Sequence, residues 1–194
     1  VTLTVVAGSG PYTEQFTLNQ LTGTSATNTV SFNGNGRTIQ FAPTVSTTRA
    51  VITLAGAGFV TINNLVVDAT VGGTSTGTTY GTGIQLFNSS DNVTLTNNTV
   101  TVSTDATTTA IAGIGSSGPQ TSFTTGGTTA SQNLTITGNT VTGGHYGIIT
   151  TGNSTATPTA GFEVRNNNVR DFYSYGVYLY YGNAAQIIGN DISR

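Results

Sequence analysis

The amino-acid sequence predicts an all-β fold, a right-handed parallel β-helix with loop insertions rich in threonine and glycine. Three observations lead to this prediction: a repeated motif built around asparagine, a strand-like segment upstream of most copies, and a composition poor in charge. Five motif copies start 33, 41, 28 and 23 residues apart, and a period in the twenties with insertions is typical of a solenoid. The copies are INNLVV (62–67), LTNNTV (95–100), ITGNTV (136–141), VRNNNV (164–169) and IIGNDI (187–192).

The third motif position is always asparagine or glycine. These two residues tolerate a positive φ better than the others, so we expect the chain to turn sharply there in every coil. The residues at this position are Asn64, Asn97, Gly138, Asn166 and Gly189.

The fourth motif position predicts a ladder of side-chain amides. A carboxamide both donates and accepts hydrogen bonds, so copies stacked at one height can bond to each other. Leu65 takes this place in the first copy. The predicted ladder consists of Asn98, Asn139, Asn167 and Asn190.

A second pattern completes each coil. Strand-like segments precede the last four motif copies, so each coil has an upstream strand and two strands that flank the turn. Three short strands per coil describe a parallel β-helix. The upstream segments are GIQLF (83–87), AIAGI (110–114), YGIIT (146–150) and YGVYL (175–179).

All 194 residues are predicted to form one domain, with N-terminal coils at 1–58 and ladder coils at 59–194. Insertions rich in Thr, Gly and Ser are expected to leave the solenoid body as loops. Because the last coil has no polar cap, we expect the chain to be a fragment of a longer secreted protein. Further coils or a capping partner should then cover the edge at Ile192. The insertions span 68–83, 103–109, 116–132 and 150–158.

Composition excludes several classes of function. The net charge is −2, with 6% charged residues and one histidine, so the basic surface needed for nucleic acid is missing. No apolar run approaches the roughly 20 residues of a membrane span. With no cysteine and no cluster at metal-ligand spacing, we predict neither a metal site nor a cofactor.

The acidic residues do not point to a catalytic pair. Strand parity places Glu163 and Arg165 on one outward face, which favours a solvated ion pair. We therefore assign no catalytic residue, and the sequence leans against an enzyme without deciding the question. The acidic residues are Glu14, Asp68, Asp91, Asp105, Glu163, Asp171 and Asp191.

The stretch DFYSYGVYLYYG (171–182) contains five tyrosines. Val177 and Leu179 take the inward parity, so Tyr178 and Tyr180 should face outward. Coil stacking should place Ile149 beside Tyr178. Aromatic rings with a polar hydroxyl suit contact with a sugar or a protein, although they could instead cover the last coils or pack under a loop. The predicted binding patch is Tyr173, Tyr175, Tyr178, Tyr180 and Tyr181.

Two segments carry a resemblance to known proteins. GPYTEQFTLNQLTGTSATNTVSF (10–32) followed by VITLAGAGFVTINNLVVDA (51–69) resembles the first coils of exported right-handed β-helix proteins of Bacteroidota. That resemblance implies a long, multidomain protein secreted by the type IX route to the bacterial cell surface or the extracellular space. By fold the chain also resembles the pectate-lyase-like superfamily, which contains polysaccharide-cleaving enzymes and adhesins.

The sequence thus predicts an extracellular or cell-surface module with a structural, adhesive or glycan-contacting role. Its expected partner is a polysaccharide or a cell-surface protein. The alternative is part of a polysaccharide-degrading enzyme, either a lyase or a glycoside hydrolase. Converging carboxylates in a groove would favour the enzyme.

Overall fold

The computed structural model describes residues 1–71, 80–152 and 159–194. The described residues are almost entirely β-strand and loop, with one 3-10 helix at Ser46–Thr48. In chain order the strands are β1 (Thr2–Thr4), β2 (Tyr12–Thr13), β3 (Phe16–Asn19), β4 (Val30–Asn33), β5 (Thr38–Gln40), β6 (Ala50–Ala55), β7 (Val60–Asn63), β8 (Val66–Asp68), β9 (Thr82–Phe87), β10 (Val93–Thr96), β11 (Thr99–Thr101), β12 (Ala112–Ser116), β13 (Leu134–Thr137), β14 (Thr140–Thr142), β15 (Tyr146–Thr151), β16 (Thr159–Ala160), β17 (Phe162–Arg165), β18 (Asn168–Arg170), β19 (Tyr175–Tyr180), β20 (Gly182–Asn183), β21 (Gln186–Ile188) and β22 (Asp191–Ser193).

Three parallel sheets run the length of the molecule. The first has the order β1-β4-β7-β10-β13-β17-β21, and the second has the order β2-β5-β8-β11-β14-β18-β22. The third has the order β19-β15-β12-β9-β6-β3. Sequence neighbours fall in different sheets, and each strand pairs with its equivalent one coil away. This arrangement confirms the predicted β-solenoid, and strands from residues 1–58 and 59–194 share the same three sheets.

Equivalent apolar residues stack inside the solenoid. Leu95 lies in register with Ile62 on one side and with Ile136 on the other. All three are buried, whereas the intervening outward residues are half-buried. At about 1.5–3 kcal/mol for each fully buried aliphatic side chain, these files supply the main driving force for folding. The inward files of the second and third sheets are Val67, Val100, Val141 and Val169, and Ile52, Ile84, Ile114 and Ile148.

The predicted turn is confirmed in every coil. Asn64, Asn97 and Asn166 have φ of 51°, 54° and 52°, and Gly138 and Gly189 have φ of 66° and 65°. The backbone therefore enters the left-handed region at the third motif position, which explains why only asparagine and glycine occur there.

A file of glycines lets the third sheet approach the second. A Cβ on Gly113 would lie 2.2 Å from Val141 Cγ1 and 2.7 Å from the carbonyl oxygen of Gly147, the equivalent glycine of the next coil. Gly83 and Gly147 meet Val100 and Val169 in the same way. Side chains cannot fit at these positions without moving the backbone of the neighbouring coil.

The insertion at 116–132 differs from its prediction. Instead of leaving the solenoid body, it folds back over the third sheet, where Phe123 packs with Ala112, Tyr146 and Ile149. Most of the insertions predicted at 68–83 and 150–158 lies outside the described residues. In the part of the chain that the structure describes, no helix has the length and hydropathy of a membrane span.

Candidate functional site

The four ladder asparagines lie in one column inside the solenoid. The Nδ2 atoms of Asn98, Asn139 and Asn167 donate to the Oδ1 atom of the next asparagine, at 3.0, 3.0 and 2.9 Å. The backbone N–H groups of the same three residues donate to those same oxygens, each at 2.9 Å. Leu65 N–H donates to Asn98 Oδ1 at 3.1 Å, so Leu65 occupies the rung below.

The remaining amide hydrogens of the ladder are also used. Asn98 Nδ2 donates to the Ile62 carbonyl at 3.0 Å, and Asn139 Nδ2 donates to the Leu95 carbonyl at 2.9 Å. Asn98, Asn139 and Asn167 are buried, Asn190 is half-buried, and their hydrogen bonds are made within the protein. The column therefore fixes the register of the coils.

The predicted binding residues come together on the outer face of β19. Tyr178 lies in register with Ile149, and Tyr175 lies in register with Tyr146. The ring centroids of Tyr175 and Tyr178 are 4.8 Å apart, and those of Tyr178 and Tyr180 are 6.1 Å apart. Val177 and Leu179 pack against the solenoid core, so the predicted alternation along this strand is correct.

The other two tyrosines extend this row at its ends. The ring centroids of Tyr180 and Tyr181 are 4.1 Å apart, and their hydroxyl groups are 3.1 Å apart. At the opposite end, the ring centroid of Tyr173 lies 5.6 Å from that of His145. The His145 ring in turn contacts Tyr146, with centroids 4.7 Å apart. We call Tyr173, Tyr175, Tyr178, Tyr180 and Tyr181 the tyrosine strip. Tyr173 and Tyr175 are 41% and 46% exposed, and the other three are half-buried.

The rings of the strip support one another. Tyr178 and Tyr180 are within 14° of parallel, and Tyr146 lies within 22° of Tyr178 at 5.5 Å. Nearly parallel rings at such distances are offset-stacked, so their orientations are fixed before any partner arrives. The hydrogen bond that Tyr180 donates to the Tyr181 hydroxyl raises the pKa of Tyr180 above its ordinary value.

The residues beneath the tyrosine strip are more deeply buried than the sequence indicates. Tyr146 is only 3% exposed and forms the floor under Tyr175 and Tyr178. Ile149 lies beside Tyr178 as expected but is fully buried, because Phe123 covers it. His145 is half-buried, and its Nδ1 atom is buried without a hydrogen-bond partner.

Glu163 and Arg165 form an ion pair on the outside of the solenoid. Glu163 Oε2 lies 3.4 Å from Arg165 Nε, with both side chains more than a third exposed, which matches the expected solvated ion pair. No group of three His, Cys, Asp or Glu residues that could hold a metal ion occurs in the described ranges.

One known protein family matches more than half of the chain. Residues 60–194 match the model of a family described as periplasmic copper-binding protein (NosD). The chain belongs to the NosD family. A search of curated proteins and a search of solved structures gave no significant match. Membership in NosD supports a β-helix module exported to the cell envelope, whereas the Bacteroidota origin, the pectate-lyase-like relationship and the type IX route stay predictions.

The family description raises the question of copper. Proteins bind copper mainly through cysteine, methionine and histidine side chains. The chain contains no Cys, no Met and one His, and His145 sits among tyrosine rings. The residues of this NosD-family chain therefore do not fit a copper site.

Proposed function

We propose that this chain is a non-catalytic β-helix module of an exported protein, and that the tyrosine strip binds a polysaccharide. The observation that carries the proposal is the continuous row of stacked, partly exposed tyrosines on one rigid sheet. An exported location brings such a surface into contact with the glycans of the cell envelope and its surroundings.

The chemistry of the strip suits a sugar chain. Tyrosine offers an apolar ring for the C–H groups of a pyranose and a hydroxyl group for its oxygen atoms. The hydroxyl groups of Tyr180 and Tyr181 lie together at one end of the strip. A row that follows a strand presents its contacts along a line, which matches an extended polymer better than a compact ligand.

Preorganisation favours binding at this surface. Each ring of the strip contacts one to three neighbouring aromatic rings, and the buried Tyr146 lies beneath Tyr175 and Tyr178. A partner therefore does not have to order several free side chains, at roughly 0.5–1.5 kcal/mol each, when it binds.

Affinity electrophoresis in gels that contain different polysaccharides tests the proposal. We expect at least one polysaccharide to retard the protein, and the double variant Tyr175→Ser with Tyr180→Ser to migrate freely. These two positions are chosen because Tyr178 also packs against the buried cluster. Tyr12→Ser is the matched control, since Tyr12 is an exposed tyrosine outside the strip.

Thermal unfolding of each variant separates loss of binding from loss of folding. Equal retardation of the double variant and the unmodified protein would contradict the role of the strip. Capture of a cell-surface protein by the strip, without retardation by any polysaccharide, would favour a protein partner instead.

A further inference from the structure

The outer face of the third sheet is partly covered by the chain itself. Four equivalent outward positions stack one coil apart: Thr53 pairs with Gln85, Gln85 with Gly115, and Gly115 with Ile149. Tyr178 continues the file beyond Ile149. Thr53, Gln85 and Ile149 are buried, so the tyrosine strip is an uncovered end of a longer surface.

The cover is a short loop with a narrow neck. A Cβ on Gly118 would lie 3.0 Å from the backbone nitrogen of Gly127, so the two ends of the loop nearly touch. Within residues 119–126 only Phe123 is buried, and the other side chains are half-buried or exposed. We call residues 119–126 the lid, since compact loops of this size with adjacent ends are Ω-loops.

Phe123 is the apolar anchor of the lid. Its ring rests where Gly115 leaves room, because a Cβ on Gly115 would lie 2.2 Å from Phe123 Cε1. The ring packs with Ala112, Tyr146 and Ile149, and Tyr178 packs against the same cluster from the other side. The lid and the tyrosine strip thus share one apolar floor.

The polar contacts of the lid are hydrogen bonds between side chains and backbone carbonyls. Gln85 Nε2 donates to the Gln120 carbonyl at 2.7 Å, and Gln120 Nε2 donates to the Thr47 carbonyl at 2.6 Å. The Arg49 guanidinium donates to the Thr121 carbonyl, and the Thr151 hydroxyl donates to the Phe123 carbonyl.

The closed position carries two unfavourable features. Arg49 is 1% exposed, and no described carboxylate pairs with its guanidinium, which lies against the Phe123 ring at 5.2 Å. Desolvation lowers the pKa of Arg49. Gln85 Oε1 is buried without a hydrogen-bond partner. An unpaired buried charge and an unsatisfied buried acceptor both cost free energy, and opening of the lid would return both groups to water.

We propose that the lid opens while the solenoid stays folded, and that opening extends the tyrosine strip over Ile149 and Gln85. The use of this surface by a polysaccharide rests on the proposed function, whereas the opening itself does not. The lid would then regulate how much of the third sheet a bound chain can cover.

Thiol labelling at two adjacent positions tests the opening. The chain has no cysteine, so Ile149→Cys and Ile148→Cys each introduce a unique thiol. Both positions are fully buried, but Ile149 lies beneath the lid whereas Ile148 belongs to the solenoid core. Local opening costs less free energy than global unfolding, so we expect Ile149→Cys to react at least about tenfold faster than Ile148→Cys. Equal rates would overturn the proposal.

Removal of the anchor provides a second readout. Phe123→Ala should accelerate labelling at Ile149→Cys and leave labelling at Ile148→Cys unchanged. If both thiols accelerate together, Phe123 stabilises the whole fold and the lid is not an independent element. No polysaccharide is present in these assays, so their outcome is separate from that of the proposed function.

Discussion

Ile149 and Tyr178 face the same side of the third sheet one coil apart, yet Ile149 is fully buried and Tyr178 keeps part of its surface in water. The boundary between the lid and the tyrosine strip passes between these two side chains. The covered and uncovered parts of one continuous surface therefore meet at a single strand pair, β15 and β19.

The asparagine ladder should be costly to interrupt. Asn167→Ala removes the oxygen that accepts both the backbone and the side-chain N–H groups of Asn139. Two buried donors would lose their acceptor, and we expect a loss of about 2–4 kcal/mol in the free energy of unfolding. Denaturant unfolding of Asn167→Ala and of the outward neighbour Asn168→Ala measures the difference. The control should change by less than about 0.5 kcal/mol, and similar losses in both variants would contradict a buried ladder.

The glycine file should reject even a methyl group. At Gly113 an added Cβ meets Val141 at 2.2 Å, whereas at Gly127 its nearest neighbour is 3.9 Å away. Gly113→Ala should therefore lower the free energy of unfolding by about 1–3 kcal/mol or more through overpacking. Gly127→Ala should be nearly neutral in the same thermal or denaturant unfolding experiment. A harmless Gly113→Ala would show that the sheets are further apart than described.

The ladder and the turn could be predicted because their signal is local and repeated. Each copy places asparagine or glycine at a fixed distance from an inward apolar residue, so Asn98 and Asn139 could be aligned without knowing the fold. Alignment of the upstream strands of the coils also reveals the glycine file. In each strand a glycine directly precedes an inward residue, and these glycines are Gly83, Gly113, Gly147 and Gly176.

The cover over the third sheet could not be predicted in the same way. Residues 116–132 have no repeat and no periodicity, and their Thr and Gly content is typical of an exposed loop. Phe123 is the only large apolar residue in that segment. Its presence is the one sequence signal that the segment packs against the body of the protein. Arg49 lies 72 residues from Thr121, and nothing local relates the two.

Alkaline pH should destabilise the protein through Tyr146. Burial raises the pKa of Tyr146 above the usual 10.0 of tyrosine, and the neighbouring Tyr178 and Tyr175 raise it further. The unfolded chain then releases this proton more readily than the folded protein, so stability is complete below pH 10 and falls as the pH rises above it. Denaturant unfolding between pH 8 and roughly 11 should show the loss.

Tyr146→Phe removes the group responsible. We expect this variant to lose less stability over the same pH range, whereas Tyr12→Phe, at an exposed position, should behave like the unmodified protein. An alkaline loss that is identical in all three proteins would place its origin outside Tyr146.

Copper should not bind tightly to this chain. A single histidine without cysteine or methionine cannot complete a copper site. Titration with Cu(I) and Cu(II), followed by calorimetry and dialysis, should give no stoichiometric complex, and His145→Asn should give the same result. A one-to-one complex that His145→Asn abolishes would show that His145 is a copper ligand.

Chemical protection of the tyrosines tests the central claim most directly. Nitration with tetranitromethane, located by mass spectrometry, should modify Tyr12, Tyr173 and Tyr175, which are the most exposed tyrosines of the described residues. In the presence of the polysaccharide that retards the protein most, we expect modification of Tyr173 and Tyr175 to fall several-fold and that of Tyr12 to stay constant. Unchanged modification of Tyr173 and Tyr175, with the polysaccharide bound, would show that it binds elsewhere and would contradict the assignment of the tyrosine strip.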